Sequence, residues 1–500
     1  MIGDHGLTLP DLLRRRAEEE PERDALVVAD VGTLSFGEWD RRADGFARAL
    51  IEREQQAGAR VGLVFGERDW IDFAVAWCGV MRAGCVAVPL SDRLAPAEVR
   101  HALTDCSVTA VLHGAGIEPP EVGDWRATPA ELGEEDGAPL RREVAPGHLA
   151  QIIYTSGTTG RAKGVGATHA NLGYGVTTNP RRRKLAHSKH FLHAFPIGSN
   201  AGQTMLVNAL DASPAALTLP RFTPGRFAKL IESYRVGTVF VVPAMAIELL
   251  NAGVADRHDL SSVRLLGSTA ASLPPAVAAG MAKAFPKATI VNYYTSTEAA
   301  PAQTTMIVDP RRSSSVGRPS SGSDLKIVTA DGTTAAPGEQ GEVWLRSPAG
   351  TRAYYRDRRL TDDIFQDGWV RMGDIGYLDD DGYLYLVDRE SDVIKSGAHK
   401  VSTLQVEAAL YEHPAVAEAA VVGVPHEVLG RVTAAAVVTR YPVTAADLRA
   451  FLLDRLARHE LPSRLLFLTE LPKNHVGKVV KPRLLELIEQ PDAPPAAHST

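Results

Sequence analysis

Short apolar, β-branched runs alternate with longer amphipathic segments through the first two-thirds of the chain. The short runs predict strands over residues 60–65, 108–112, 151–155, 238–242, 263–266 and 289–294. The longer segments predict helices over residues 35–53, 69–83, 95–104, 224–234 and 275–285. Such an alternation is typical of α/β layers whose strands are mostly parallel. This part of the sequence therefore predicts an α/β fold.

The pattern changes from about Val316 onward. Segments 324–329, 342–346 and 383–387 indicate antiparallel strands. Asp-Gly turns at 331–332 and 381–382 connect such strands readily, so we expect a small β-barrel here. After Arg389, helical segments 404–411 and 445–459 and strand-like segments 417–422 and 433–438 indicate a compact α+β unit of roughly 100 residues, a normal domain size.

We therefore predict three parts in the chain. Residues 1–388 would form a large N-terminal domain of several subdomains, with α/β layers plus the small β-barrel. Residues 389–490 would form a smaller, mobile C-terminal α+β lid. Residues 491–500 are rich in proline and alanine and are expected to be a disordered tail.

Composition narrows the class of protein. The 500 residues, 45% hydrophobic and 23% charged, are those of an ordinary globular protein with more than one core. A net charge of −6 without a basic stripe gives no reason to expect a nucleic-acid partner. The longest apolar stretch, 70–90, contains Asp72 and Arg82, so no membrane span is expected. Three cysteines without CxxC spacing predict reduced thiols and a cytoplasmic location.

The segment from Tyr154 to Gly164 carries the strongest chemical signal. It combines four Ser/Thr hydroxyls, three glycines and Lys163, directly after the apolar run 151–153. Hydroxyls and backbone N–H groups can surround phosphate oxygens, glycines allow close approach, and lysine adds positive charge. The segment differs from the common P-loop, which ends in Gly-Lys-Ser/Thr. The sequence thus predicts a phosphate-binding loop of another kind.

This loop closely resembles that of the adenylate-forming superfamily, which includes acyl-CoA synthetases, aryl-CoA ligases, adenylation domains of peptide synthetases and luciferases. The resemblance implies that the loop binds the phosphates of ATP. The residues it assigns to this contact are Thr155, Ser156, Gly157, Thr158, Thr159, Gly160 and Lys163.

The segment 292–298 resembles a second motif of the superfamily, with Thr295 in place of the usual glycine. The resemblance implies that Tyr294 stacks on adenine, Thr297 contacts the phosphate and Glu298 holds Mg²⁺. The chemistry agrees, because an aromatic face binds a purine and a hard carboxylate oxygen suits Mg²⁺. Thr295 belongs to the same expected nucleotide contact.

Four further segments resemble superfamily motifs in the same order along the chain. Ala270 and Ala271 would lie against the edge of the base. Asp374 would accept hydrogen bonds from the ribose hydroxyls, as an ionised carboxylate can, and Arg389, in the hinge, would contact the ribose. Lys478 would lie beside the α-phosphate and the substrate carboxylate. The residues assigned to catalysis are thus Thr297, Glu298 and Lys478.

The acid-binding pocket is expected around the segment 195–200. Amino-acid-activating members have an aspartate where this chain has Phe195, so an α-amino acid is not the expected substrate. Ser199 stands where a bulky aromatic residue or histidine is usual. The predicted pocket residues are Phe195, Ile197, Ser199, Val242, Gly267 and Ser268. Their small and apolar character favours an aryl or medium-length acyl acid.

The resemblance implies that ATP and Mg²⁺ convert a carboxylic acid into an acyl-AMP, and that a thiol of CoA or of a carrier-bound phosphopantetheine then takes the acyl group. Ser391 at the hinge and Ala398 after Gly397 are atypical for the thiol step. An adenylating ligase with a non-thiol acceptor, either an amide ligase or a nitrite-activating diazotase, therefore stays open. A catalytically silent ATP-binding protein is a further alternative.

Overall fold

The computed structural model describes residues 6–133, 139–140, 142–155, 161–397, 399–474 and 477–489. The α-helices of these residues are α1 Leu9–Glu19, α2 Phe36–Glu52, α3 Trp70–Arg82, α4 Pro96–Asp105, α5 Pro129–Leu132, α6 His169–Leu172, α7 Asn200–Asp211, α8 Pro224–Tyr234, α9 Pro243–Asn251, α10 Pro275–Ala284, α11 Arg358–Ile364, α12 Thr403–Tyr411, α13 Ala445–Leu453 and α14 Lys481–Glu489.

The strands belong to three sheets. In chain order they are β1 Asp24–Val28, β2 Gly32–Ser35, β3 Arg60–Phe65, β4 Val86–Ser91, β5 Ala110–His113, β6 Trp125–Ala127, β7 Leu149–Thr155, β8 Lys163–Thr168, β9 His190–His193, β10 Ala215–Thr218, β11 Thr238–Val241, β12 Leu265–Ser268, β13 Thr289–Tyr294, β14 Gln303–Ile307, β15 Ser315–Ser320, β16 Asp324–Val328, β17 Gly341–Arg346, β18 Ala353–Tyr354, β19 Phe365–Gln366, β20 Trp369–Leu378, β21 Leu384–Arg389, β22 Ile394–Ser396, β23 His399–Val401, β24 Val416–His426, β25 Gly430–Thr439 and β26 Arg464–Phe467.

The first sheet has the strand order β18-β8-β7-β4-β3-β5-β6. Strands β3 to β6 are parallel, because α3 and α4 return the chain to the starting edge after β3 and β4. Helices cover both faces, so every residue of β4 is buried. At the other edge, β7 and β8 form an antiparallel hairpin in which Thr155 pairs with Lys163. The predicted phosphate loop is the connection of this hairpin.

The second sheet has the order β16-β17-β20-β21-β15-β14-β13-β12-β11-β9-β10-β1-β2, with β19 on β20. Strands β9 to β13 are parallel to one another, and the register aligns Val241, Ser268 and Asn292 at their carboxyl ends. Ligands of α/β sheets bind at such an edge. From β14 onward the strands are antiparallel and continue the same sheet.

The third sheet, β23-β22-β25-β24 with β26 on β25, lies in the C-terminal region predicted as a lid. It has hydrophobic clusters of its own, because α12 and α13 pack on one face and α14 on the other. The Arg440 guanidinium donates to Asn251 Oδ1 at the end of α9, at 2.7 and 3.0 Å. This contact joins the C-terminal unit to the helix that follows β11.

Several element boundaries differ from the sequence prediction by one or more residues, among them those of β12 and α13. The strand expected over 263–266 begins at Leu265, because Val263 belongs to a preceding turn in which its N–H donates to Leu260 O at 3.2 Å. The helix expected over 445–459 ends at Leu453. Within the described residues, no helix combines the length and the apolar character that crossing a bilayer requires.

Candidate active site

The two ends of the predicted phosphate loop are fixed by α4. Tyr154 Oη donates to Asp105 Oδ2 at 2.5 Å just before the loop begins. At the other end, His101 Nε2 donates to Ala162 O at 3.0 Å, so that Lys163 enters β8 in register with Thr155. Ser156, Gly157, Thr158, Thr159 and Gly160 lie outside the described residues. Helix α4 thus determines where the loop leaves and rejoins the sheet.

Lys163 and Glu298 both contact Tyr354. The Lys163 ammonium lies 5.8 Å from the centre of the Tyr354 ring, and Tyr354 Oη donates to Glu298 Oε1 at 2.9 Å. Burial and the Glu298 charge raise the pKa of Tyr354, so the hydroxyl keeps its proton and acts as a donor. The predicted metal carboxylate therefore lies at the mouth of the phosphate loop.

Tyr294 and Asp374 form the next part of the site. Tyr294 Oη donates to Asp374 Oδ2 at 2.6 Å, and Arg389 Nε lies 3.4 Å from Asp374 Oδ1. Burial raises the pKa of the Asp374 carboxyl, while the Arg389 charge and the Tyr294 hydroxyl oppose that shift. The pairing of Asp374 with Arg389 follows from the register of β20 and β21. The two residues expected at the ribose are thus neighbours.

Lys478 faces the carboxylates of this cluster. The residue is exposed, yet desolvation by the surrounding protein lowers the pKa of its ammonium. The charge of Arg389 lowers that pKa as well, whereas Glu298 and Asp374 raise it. Three distant motifs therefore act on one lysine.

The turn that carries Lys478 packs on the predicted acid pocket. A methyl group added at Gly477 would lie 3.7 Å from Ala244 Cβ and 4.0 Å from Val242 Cγ2. Asn474 Oδ1 accepts from Lys478 N at 2.9 Å and holds the turn closed. Lys478 thus stands between the pocket wall and the carboxylates of the nucleotide end.

The loops after β12 and β13 carry residues that are predicted to contact the base. Ala270 and Ala271 are exposed, and Ala270 has φ +72°, a strained left-handed conformation for a residue with a Cβ. Thr295 Oγ1 donates to Ala302 O at 2.6 Å. The hydroxyl that replaces the usual glycine is therefore satisfied by the backbone of its own loop.

The predicted acid-binding segment, residues 195–200, is held in place by a buried carboxyl. The amide of Ile197 donates to both oxygens of Glu67, at 3.2 and 3.3 Å, and Ser91 Oγ donates to Oε1 at 3.2 Å. Burial raises the pKa of Glu67 to about 7. Phe195 and Ile197 are themselves buried in the core. Sequence reasoning missed Glu67, because it lies 130 residues from its partner.

Ser199 has a structural task in this segment. Its Oγ accepts from Gly202 N at 3.0 Å as the N-cap of α7 and donates to Pro196 O at 2.7 Å. A serine suits this position because its short side chain can bond the first turn of the helix. The residue that replaces the usual aromatic or histidine therefore closes the turn of the acid-binding segment.

The far wall of the predicted pocket is formed by β12. A methyl group added at Gly267 would lie 2.8 Å from the Phe240 ring and 2.9 Å from the Tyr293 ring. Two aromatic rings thus occupy the space beside this glycine. Ser268 is fully buried, and its Oγ has no hydrogen-bond partner in the described part of the chain.

Sequence reasoning missed two further residues, Arg352 and Tyr354. Arg352 Nη1 donates to Asn200 Oδ1 at 3.0 Å and to Thr297 O at 2.8 Å. Tyr354 belongs to the short strand β18, which pairs with β8 beside the phosphate loop. A basic and an aromatic residue after the Gly350 turn were the available signal, and it is weak by itself.

Comparison with known proteins agrees with this geometry. The family model described as AMP-binding enzyme matches residues 13–355, and that of the AMP-binding enzyme C-terminal domain matches residues 405–478. A 2-succinylbenzoate–CoA ligase of Bacillus cereus is 29% identical over 97% of this chain and 99% of its own length.

Solved structures of two enzymes are similar over nearly the whole chain. The o-succinylbenzoate CoA synthetase of Bacillus subtilis, solved with the acyl-adenylate OSB-AMP, has a TM-score of 0.83 and 26% identity over 96% of this chain and 98% of its own. The same enzyme has been solved with ATP and a magnesium ion. The amide bond synthetase McbA of Marinactinospora thermotolerans has a TM-score of 0.82 and 25% identity over 96% and 99%.

These matches confirm the predicted fold class and the resemblance to the adenylate-forming superfamily. The chain belongs to the AMP-binding enzyme family and carries the C-terminal domain of that family.

Proposed function

We propose that this protein is an acid–thiol ligase of the AMP-forming type. It activates an aryl carboxylic acid with ATP and transfers the acyl group to CoA. The observation that carries this proposal is that Lys163, Glu298, Asp374 and Lys478 belong to one cluster: Lys163 and Glu298 contact Tyr354, and the charges of Glu298 and Asp374 act on Lys478. The ligases of 2-succinylbenzoate support both the CoA acceptor and the aryl class of acid.

The first step needs no general base, because a carboxylic acid is already ionised near neutral pH. A carboxylate oxygen attacks the α-phosphorus of ATP, the bond from that phosphorus to the bridging oxygen breaks, and pyrophosphate leaves. Catalysis then consists of alignment and of stabilising negative charge. Lys163 serves the phosphates at the loop, and Lys478 lies where the acid pocket meets the nucleotide.

The donor set at Glu298 fits Mg²⁺. Its Oε1 accepts from Tyr354, whereas Oε2 has no hydrogen-bond partner among the described residues and is a hard oxygen donor. Magnesium, when bound with ATP, supplies positive charge at the phosphates. Tyr354 orients the carboxylate for this contact, since its hydroxyl fixes the other oxygen.

In the second step a thiol attacks the carbonyl carbon of the acyl-AMP, the bond from that carbon to the phosphate oxygen breaks, and AMP leaves while the thiol proton passes to solvent. We infer that the unit after Arg389 moves as a lid between the steps, since Lys478 occupies the cleft during the first. Two contacts stabilise the hinge in this conformation: Ser391 Oγ donates to Asp392 Oδ1 at 3.0 Å, and Lys481 pairs with Asp392 at 2.7 Å. Ala398 lies outside the described residues.

A second candidate is amide formation, in which an amine takes the place of the thiol. The similarity to an amide bond synthetase over 96% of the chain favours it, as does the atypical Ser391 at the hinge. The first step is the same for both candidates. They differ only in the acceptor.

Pyrophosphate exchange into ATP with a panel of aryl and acyl acids tests the proposal. Exchange that depends on an aryl acid is the expected result. CoA, a phosphopantetheine carrier, amines and nitrite are then offered in turn, and CoA should give a thioester with release of AMP. Product with an amine or nitrite alone would transfer the assignment to the non-thiol alternative. ATP binding without exchange for any acid would favour the silent ATP-binding protein.

We infer a cytoplasmic location as well, since the cytoplasm supplies ATP and CoA. Its reducing conditions also match Cys78, Cys85 and Cys106, which are buried free thiols. Secretion of the active protein would contradict this inference.

A further inference from the structure

The described residues contain four arginines that are almost wholly buried, and Arg352 differs from the other three in its partners. The exposed fractions of Arg16, Arg82, Arg183 and Arg352 are 3%, 3%, 8% and 5%. The first three have carboxylates within ion-pair distance: Arg16 with Glu20 at 3.2 Å, Arg82 with Asp44 at 2.7 Å, and Arg183 with Glu19 and Glu20. For Arg352, no carboxylate of the described residues lies within 4.0 Å.

The contacts that Arg352 does make are with neutral groups. Its Nη1 donates to the side-chain oxygen of Asn200 and to the backbone oxygen of Thr297. Its Nε is buried without a partner, and its Nη2 makes no hydrogen bond to a described residue. Burial lowers the pKa of Arg352 to about 10, and Glu298 opposes that shift from a longer range. The guanidinium thus stays charged at neutral pH with two donor nitrogens unused.

An unpaired buried charge costs several kcal/mol, so folded proteins normally pair or coordinate it. Arg352 is also located where reactants are expected. Asn200 belongs to the predicted acid-binding segment, and Thr297 precedes the predicted metal carboxylate. The next residues after Arg352 form β18, which pairs with β8, the strand that follows the phosphate loop. The missing counter-charge is therefore one that a ligand can supply.

We propose that Arg352 binds an oxyanion of the reactants and is a further substrate-binding residue of the adenylation step. The oxyanion is the carboxylate of the acid or a phosphate of ATP, because both carry the charge and the acceptor geometry that a guanidinium recognises. This proposal rests on the proposed function. The negative charge of the reactant would pair with the guanidinium and accept the hydrogen bonds that Asn200 and Thr297 do not accept.

The test compares Arg352→Met and Arg352→Lys with Arg183→Met. Arg183 is a matched control, since it is a buried guanidinium of the same size whose charge is already paired. Arg352→Met should raise the KM of one reactant by about tenfold to a hundredfold, and Arg352→Lys should recover part of that loss because it keeps the charge. Arg183→Met should lower the melting temperature without changing either KM.

The two sources of the oxyanion give different results. A higher KM for the acid alone identifies the carboxylate, and a higher KM for ATP and pyrophosphate alone identifies a phosphate. Unchanged KM values in Arg352→Met would overturn the proposal. So would a loss of kcat, with both KM values unchanged, that Arg352→Lys fails to recover, since that pattern indicates a purely structural role.

A measurement without turnover separates this proposal from the proposed function. ATP and pyrophosphate, and the acid for which exchange was found, should each be tested for the rise they cause in the melting temperature. The rise for one of them should be smaller in Arg352→Lys and Arg352→Met than in the wild type. Equal rises in all variants would overturn the role of Arg352. A wild type that binds ATP but shows no exchange would count against the proposed function alone.

Discussion

The candidate site has two parts, a nucleotide end and an acid end, named for the reactants that they are predicted to bind, and the two are built in different ways. At the nucleotide end, tyrosine hydroxyls donate directly to carboxylates, as in Tyr294 to Asp374 at 2.6 Å and Tyr354 to Glu298 at 2.9 Å. At the acid end, Phe195 and Ile197 are buried, and the polar contacts run to the backbone, as from the Ile197 amide to Glu67. The first end presents charge, and the second presents shape.

This difference has a chemical reason. ATP is a common reactant of the family, so its phosphates and ribose require hydroxyls, lysines and carboxylates in fixed places. An apolar acid is recognised by the volume and the position of its pocket walls. Substitutions at the nucleotide end should therefore change ATP use or the chemical step, whereas those at the acid end should change the choice and affinity of the acid.

The largest effect is expected at Lys478, where the two ends meet. Lys478→Ala should lower pyrophosphate exchange by about 100-fold or more, because an ammonium beside the reacting phosphate and carboxylate is lost. ATP affinity, measured by calorimetry, should change little. Lys473→Ala is the control, since that ammonium pairs with Glu418 at 2.8 Å within the C-terminal unit. Unchanged exchange in Lys478→Ala would remove this lysine from the mechanism.

At the nucleotide end, Asp374→Asn should raise the KM for ATP by about 30-fold and leave the KM for the acid unchanged. The reason is that charge-assisted hydrogen bonds to the ribose are weakened. Steady-state exchange kinetics measure both constants. Asp363→Asn, which removes an exposed carboxylate paired with Arg371 at 2.9 Å, should change neither. A higher KM for the acid in Asp374→Asn would contradict the separation of the two ends.

At the acid end, Gly267→Val should raise the KM for an aryl acid by about tenfold, since misfit in an apolar pocket costs roughly 1–3 kcal/mol. The added carbons must displace the rings of Phe240 and Tyr293. The KM for ATP should stay the same. Gly147→Ala is a control, because no heavy atom lies within 4 Å of its added methyl group. Equal effects of Gly267→Val on the KM for the acid and the KM for ATP would show that β12 borders both binding sites.

The smallest effect on activity is expected at Glu67. Glu67→Gln keeps an acceptor for the Ile197 amide, so the KM for the acid should change by about threefold or less. Its effect should instead appear in the pH dependence of stability. Burial raises the pKa of Glu67 from 4.5 to about 7, so the folded state binds the proton more tightly than the unfolded chain.

The sign of this dependence follows from linkage. The contribution of Glu67 to the free energy of unfolding is greatest below about pH 4.5 and declines as the pH rises to about 7. Glu67→Gln cannot titrate, so it should become more stable relative to the wild type between pH 5 and pH 8. Urea unfolding across this range measures the difference. A difference in the free energy of unfolding that stays constant with pH would show that neighbouring charged groups cancel the effect of Glu67 ionisation. The charged residues around this carboxyl are Arg68, Asp92, Arg93, Arg221 and Arg226.

Much of the fold was predictable where local chemistry decides it. Helix α8 has the predicted bounds 224–234 because Pro224 begins it and its apolar face recurs at helical spacing. Strand β12 was displaced by two residues, because the hydrogen bond from Val263 to Leu260 forms a turn that the apolar pattern does not reveal. Boundaries of this kind depend on bonds between a few backbone groups.

The residues of the candidate site also fall into those that local sequence predicts and those that depend on distant contacts. Lys163, Glu298, Asp374 and Lys478 stand in recognisable local motifs, and the structure brings them together; their individual roles stay predictions. Arg352 was missed because its meaning depends on Asn200 and Thr297, which are 152 and 55 residues away. Ser199 was predicted at the pocket, but its hydroxyl serves as the cap of α7.

The sequence by itself determined the family, the nucleotide chemistry and the alternation of strands and helices, because each of these is encoded in residues close together along the chain. The tertiary structure alone decided that Tyr354 orients Glu298, that Glu67 supports the segment predicted to bind the acid, and that Arg352 is buried without a counter-charge among the described residues. The physical reason is that burial and the pairing of charges depend on which distant segments pack together. No local pattern specifies that packing.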